Sequence, residues 1–169
     1  MQNILLLGAG RSATSLINYL KTNAKTEDWH IKIGDFDVDL AKEKAGEHPN
    51  TSFIQFDILN KIQTNDEIAK ADLVISMLPA RFHPQVAAVC VDQGKHMATA
   101  SYNSAEVSDL SDIAKSKNIL ILMECGLDPG IDHMTAMKAM NKIKEKGGKL
   151  TSFKSYTGGL VSPDSDNNP

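Results

Sequence analysis

The chain has 169 residues, room for one domain of ordinary size and no more than a fragment of a second. Its 41% apolar share is that of a globular protein, and a net charge of −3, from 18 basic and 21 acidic side chains, argues against a nucleic-acid partner or a polybasic membrane strip. No apolar run approaches the roughly 18 residues of a membrane span, no cleavable leader is read at the start, and Cys90 and Cys125 sit in no metal or redox spacing, so a cytoplasmic protein with no bound metal is expected.

Apolar runs alternate with helical patterns along the chain. Residues 4–7, 31–33, 53–56, 73–77, 96–99 and 119–123 are short apolar runs of the kind buried on both faces of a parallel sheet. Between them, 12–22, 39–47, 66–71, 84–93 and 106–117 read as helices, several with apolar residues three and four apart. Repeated strand–helix–strand order with right-handed crossovers predicts an α/β, Rossmann-type doubly wound parallel sheet. A further helix is expected over 131–145, stopped by Gly147-Gly148, and then a strand over 150–156 from alternating apolar and polar residues. The tail SPDSDNNP is polar and turn-like.

The chemistry follows the carboxyl ends of these strands. Gly8-Ala9-Gly10-Arg11-Ser12-Ala13 leaves the first strand and opens the first helix, the G-x-G-x-x-G/A pattern in its required context. Gly8 allows the turn, Gly10 lets backbone approach a pyrophosphate, and Ala13 lets the helix pack closely. Helix N–H groups and the dipole then face the phosphates, with Ser12 in that first turn and Arg11 able to reach a phosphate or to remain solvated. Asp35 ends the second strand roughly 20 positions past the motif, where an acid accepts the adenosine ribose hydroxyls and repels a 2′-phosphate. NAD is therefore the expected cofactor, with NADP possible because Lys42 and Lys44 lie nearby; Asp37 is a rival for the same role. Asp57, after the third strand, is an adenine-side candidate or a helix cap. Ser76, Met77 and Leu78 end the fourth strand, and Ala100 and Ser101 the fifth, all on the ligand edge. Arg81 and His83 begin a helix beside the cofactor loop and receive no chemistry. Cys125 reads as a small buried apolar residue.

The later residues carry a resemblance. GLDPGIDHM at 126–134 and SYTGGL at 155–160, with GAGRSA and SMLPA before them, resemble the saccharopine dehydrogenases, nearest the glutamate-forming reductases, over essentially the whole chain. The resemblance implies a reversible oxidative deamination, in which saccharopine, NAD(P) and water give glutamate and 2-aminoadipate semialdehyde in lysine metabolism. It implies Asp128 as the first candidate acid–base group and Tyr102 as the second. Thr157 stands where the family has a cysteine, so no thiol role carries over. Enzymes of the family are longer. The resemblance therefore implies a dinucleotide-binding domain over 1–125 and the start of an α+β substrate domain over 126–169, in a chain that is cut short. Such a chain is expected to bind cofactor, to lack full catalysis and to self-associate into a homo-oligomer through exposed apolar surface.

Taken alone, Asp128-Pro129-Gly130 is also a good turn and helix start, and His133 falls on the first helical turn that follows. Two other functions fit the same fold: a carboxynorspermidine- or opine-like dehydrogenase, and a Rossmann protein that senses nucleotide without redox chemistry.

Overall fold

The computed structural model describes residues 1–156. Thr157, the Gly158-Gly159 pair and the polar tail lie outside the described residues. Six parallel strands form one sheet in the order β3-β2-β1-β4-β5-β6. They are β1 (Gln2–Leu7), β2 (Trp29–Asp35), β3 (Thr51–Gln55), β4 (Leu73–Ser76), β5 (His96–Thr99) and β6 (Ile121–Leu122). Chain order reverses between β1 and β4, so the carboxyl ends of those strands flank a topological switch point.

The central strand shows why the apolar runs become strands. Ile4 and Leu6 enter one buried cluster, with Ile31 and Ile33 of β2, and with Ile17 and Leu20 of α1 (Thr14–Asn23) and Ala41 of α2 (Val38–Ala45). Leu5 and Leu7 enter the opposite cluster, with Val74 of β4 and Met97 of β5. That cluster also takes Ile68 of α3 (Lys61–Ala69) and Val86 and Cys90 of α4 (His83–Gln93). A strand apolar on both faces needs helices on both sides, and four crossover helices supply them.

Boundaries differ from the sequence reading where local hydrogen bonds decide. The first helix opens with a 3₁₀ turn at Arg11–Ala13 before α1 begins. Helix α3 starts earlier than expected because the Asn60 side chain accepts the Gln63 N–H and caps it. The expected helix at 106–117 is two, α5 (Ala105–Ser108) and α6 (Ser111–Ser116). Between them the Leu110 N–H turns back to the Val107 carbonyl, a three-residue step that breaks the α register. The sixth strand shrinks to two residues.

Two units divide the chain, 1–133 and 134–169. Helix α7 (Ile131–Glu145) begins in the first and runs through the second, ending where Gly147 and Gly148 donate to Lys144 and Ile143. The strand expected over 150–156 is not formed. Alternation supplies two faces but no partner edge, and no strand of the described residues pairs with this segment.

Candidate functional site

The turn after β1 is shaped by its first glycine. Gly8 has φ +96°, and a Cβ there would lie 2.7 Å from the Met77 carbonyl oxygen, so β4's exit packs directly on the turn. Gly10 differs, since a Cβ there would meet nothing within 4 Å. Nothing among the described residues requires glycine at 10, whereas a group seated against the turn from outside would require it. Ala13 is buried and lets α1 close on β1, while Arg11 and Ser12 are exposed at the mouth. The open cradle at Gly10, facing the start of a ten-residue helix, fits a dinucleotide pyrophosphate.

Two clefts flank the turn. The first, of about 430 Å³, is lined by Gly8, Gly10, Asp35, Asp57, Met77 and Leu78 together with Phe36, Phe56, Ile58, Leu59, Pro79 and Phe82. The Asp35 carboxylate accepts the Ala9 N–H at 2.6 Å and the Asp37 N–H at 3.0 Å, which fixes it beneath the turn. Asp37 accepts the N–H groups of Asp39 and Leu40 as the cap of α2. Asp57 holds a local turn by accepting the Leu59 N–H, while Asn60 is the residue that caps α3.

The second cleft, of about 380 Å³, opens over β4 and β5. Ser12, Ser76, Met77, Leu78, Ala100, Ser101, Tyr102 and Asp128 line it, with Ala80, His83, Thr99 and Pro129. The Tyr102 hydroxyl donates to Asp128 Oδ1 at 2.6 Å. This bond, and the Asp128 charge, push the phenol above its ordinary pKa, so Tyr102 stays protonated near neutrality. The loop that presents Asp128 is closed by its own backbone. Gly126 donates to the Pro129 carbonyl and Ile131 to the Gly126 carbonyl, and Gly130 (φ +147°) packs so tightly on Gly126 that no side chain fits. Asp132 braces the loop by accepting the Gly130 N–H and pairing with His133 at 2.9 Å. Hydrogen bonds from His133 and Gly130 hold the Asp132 carboxyl below its usual range. Ligand atoms of Asp128, Asp132 and His133 gather within 4.8 Å, and the bonds just described account for that gathering.

Of the candidate residues, all but Arg11 and Ala13 line one of the two clefts, and Met77 and Leu78 line both. Cys125 is exposed rather than buried, because the loop after β6 leaves the sheet before its side chain can pack. His83 carried a signal that the sequence reading passed over. It follows the exit of β4 by seven residues, close enough for a first-turn side chain to reach back, and its Nδ1 lies 2.9 Å from Ser76 Oγ. Phe36, Phe56, Leu59 and Phe82 also went unnamed, since apolar walls have no motif.

Comparison with known proteins adds the following. Residues 4–122 match the family described as the saccharopine dehydrogenase NADP binding domain, and residues 126–169 the saccharopine dehydrogenase C-terminal domain. The chain is 37% identical over 98% of its length to alpha-aminoadipic semialdehyde synthase of Arabidopsis thaliana, covering 17% of that protein. It is 32% identical over its full length to saccharopine dehydrogenase [NADP(+), L-glutamate-forming] of Schizosaccharomyces pombe, covering 37% of it. The solved structure of apo saccharopine dehydrogenase (L-Glu forming) from Saccharomyces cerevisiae superposes with a TM-score of 0.86 at 33% identity, over all of this chain and 37% of that one. The chain thus spans well under half the length of these relatives.

Proposed function

The chain belongs to the saccharopine dehydrogenase family, and from that premise we propose that it forms the dinucleotide-binding part of an oxidoreductase acting on the C–N bond of saccharopine. In this reading residues 1–125 hold the cofactor and 126–169 begin the portion that meets substrate. A nicotinamide cofactor supplies hydride acceptance from the carbon bearing the secondary amine. Tyr102, held protonated, donates a hydrogen bond in the second cleft, and Asp128 accepts and returns the protons of amine and water. The products are glutamate and 2-aminoadipate semialdehyde. The single observation that carries the reading is the Tyr102–Asp128 pair in a cleft that shares Met77 and Leu78 with the wall behind the glycine turn.

The finer proposal is NAD in preference to NADP, although the matching family and one of the relatives described above are named for NADP. Asp35 lies at the end of β2, fixed by two backbone N–H groups, and Asp37 and Asp39 follow it. A 2′-phosphate there would meet the Asp35 carboxylate, the acidic group among these three that lines the first cleft beside the turn. Calorimetric titration with NADH and with NADPH tests this directly. NADH is expected to bind at least tenfold tighter, and an equal or reversed preference refutes it.

Among the described residues no helix is long and apolar enough to cross a membrane. Both cysteines are free thiols, which supports the reducing, cytoplasmic compartment of this reading. Self-association is proposed at the open edge of the sheet, where Leu120 and Leu122 are exposed beside β6. A monomeric mass by light scattering across a wide concentration range refutes it.

A further inference from the structure

Beneath the second cleft lies a buried polar chain that the proposed chemistry does not use. His83 is 2% exposed at the start of α4, and Ser76, at the end of β4, is fully buried. Ser76 Oγ is 2.9 Å from His83 Nδ1, and His83 Nε2 is 2.7 Å from Ser101 Oγ. Thr99 Oγ1 stands farther from Nε2, at 3.4 Å, and accepts the Ser101 N–H. One imidazole therefore ties the exits of β4 and β5 to the first turn of α4. Burial depresses the His83 pKa, so the ring is neutral and has one donor and one acceptor.

The direction of the chain follows from Ser76. Its hydroxyl is sealed from water, and Nδ1 is its side-chain partner among the described residues. A buried hydroxyl places its proton on an acceptor. With Ser76 donating to Nδ1, the ring proton lies on Nε2 and is donated to Ser101 Oγ. The Ser101 oxygen is then the acceptor, and its own proton is left to point into the cleft that Ser101 lines with Tyr102 and Asp128.

We infer that His83 is a positioning residue that fixes the Ser101 hydroxyl as a hydrogen-bond donor to the nicotinamide half of the dinucleotide. This rests on the dinucleotide reading above. The glycine turn takes the pyrophosphate at the switch point, and Asp35 lies on the β2 side. The opposite half of the ligand therefore falls on the β4–β5 side, where Ser101 sits. A donor there meets an acceptor such as the carboxamide oxygen. The arrangement makes Ser101 specific for one half of the ligand, and that specificity is what can be tested.

The test compares NADH with ADP-ribose, which keeps the adenosine and both phosphates but lacks nicotinamide. Ser101→Ala is expected to weaken NADH binding roughly three- to tenfold, the worth of one hydrogen bond, and to leave ADP-ribose unchanged. His83→Leu gives the same selective loss, adds little to Ser101→Ala in the double variant, and is rescued by His83→Gln, whose amide N–H reaches toward Ser101. Equal weakening of both ligands, or no effect of Ser101→Ala on NADH, overturns the inference. Should His83→Leu fail to fold, side-chain ¹⁵N shifts of the unaltered protein decide the tautomer. Protonation at Nε2 is expected, and protonation at Nδ1 overturns it. If the unaltered chain binds neither ligand, the dinucleotide reading falls as well. If it binds both and Ser101→Ala changes nothing, only this inference falls.

Discussion

Gly8 and Gly10 occupy one turn, and exchanging each for alanine should separate folding from binding. At Gly8 the substitution meets two costs. The residue has φ +96°, a region that disfavours side chains by about 1–2 kcal/mol. Its new Cβ would also lie 2.7 Å from the Met77 oxygen and 2.8 Å from the Met77 carbonyl carbon, both backbone atoms, so β4's exit must move. Together these predict a loss of about 2–4 kcal/mol, with the overlap costing as much as ordinary overpacking. At about 3 °C per kcal/mol for a chain of this size, the melting temperature falls by roughly 6–12 °C. Gly10 has φ −60° and ψ 177°, which alanine adopts freely, and its Cβ enters open space. Gly10→Ala therefore leaves stability within about 1 kcal/mol, on the favourable side, because it narrows the unfolded ensemble. Its cost falls on the ligand, and NADH affinity should drop at least tenfold. Thermal denaturation and calorimetric titration of the two variants give all four numbers. The reasoning is refuted if Gly8→Ala melts within 2 °C of the unaltered protein, or if Gly10→Ala binds NADH undiminished.

Asp35→Asn keeps one acceptor for the Ala9 N–H and removes the charge, so it should narrow the NADH-over-NADPH preference about tenfold; an unchanged ratio in parallel titrations assigns the preference elsewhere. The Tyr102 phenol titrates above its ordinary value because of Asp128, so its neutral form is favoured below that pKa and the bond is lost as pH rises through it. Absorbance titration of the unaltered protein minus Tyr102→Phe should place it high, and Asp128→Asn should lower it; no shift between the two backgrounds removes the coupling. Burial pushes the Cys90 thiol up to about 12, whereas Cys125 is exposed, so alkylation of the native protein should label Cys125 alone and Cys90 only after unfolding. Folding depresses the His83 pKa, so the unfolded chain binds more protons and stability falls as pH drops below about 6.5, toward the folded value. Its ring signals in a pH titration by NMR should stay neutral as pH falls through the ordinary histidine value near 6.5, and charging at or above that value refutes the burial argument.

What could be read from the chain alone was whatever repeats at short range. The run 4–7 is a strand because it is apolar on both faces, and the structure returns it within two residues at each end. Helix α7 matched over Ile131–Glu145 because a glycine pair stops it. The misses depend on partners outside the window. Asn60 begins α3 only because Gln63 N–H reaches it, and the alternation at 150–156 has no strand beside it to make it one. Cys125 looked like core in composition, and only the path of the loop after β6 exposes it. At the site, Gly8 and Asp35 could be named because each answers a local requirement of turn or strand end, whereas Asp128 came from the family resemblance and reads as a turn residue when taken alone. His83 was passed over because its offset from Ser76 points to one partner only, and the sheet supplies Ser101 at the other ring nitrogen.

That difference bears on how the two clefts divide their labour. The β2 side is built from backbone N–H groups fixing carboxylates, as Ala9 and Asp37 do for Asp35, and such a wall can tell charge from hydroxyl but does not move protons. The β4–β5 side is built from hydroxyls, an imidazole and a phenol on a carboxylate, groups that both donate and accept. A sensor of the dinucleotide needs the first wall for adenosine and phosphates and Ser101 for the nicotinamide half, but not the Tyr102–Asp128 pair. On the proposed reading, the Tyr102–Asp128 pair is superfluous for sensing the adenosine and phosphates and serves a reaction that moves hydride and protons together. The assay that weighs this argument is Asp128→Asn, expected to leave NADH affinity within about twofold if, as proposed, the carboxylate serves the reacting amine rather than the dinucleotide. A tenfold loss of NADH affinity would instead make Asp128 part of the cofactor's wall and return the sensor to contention.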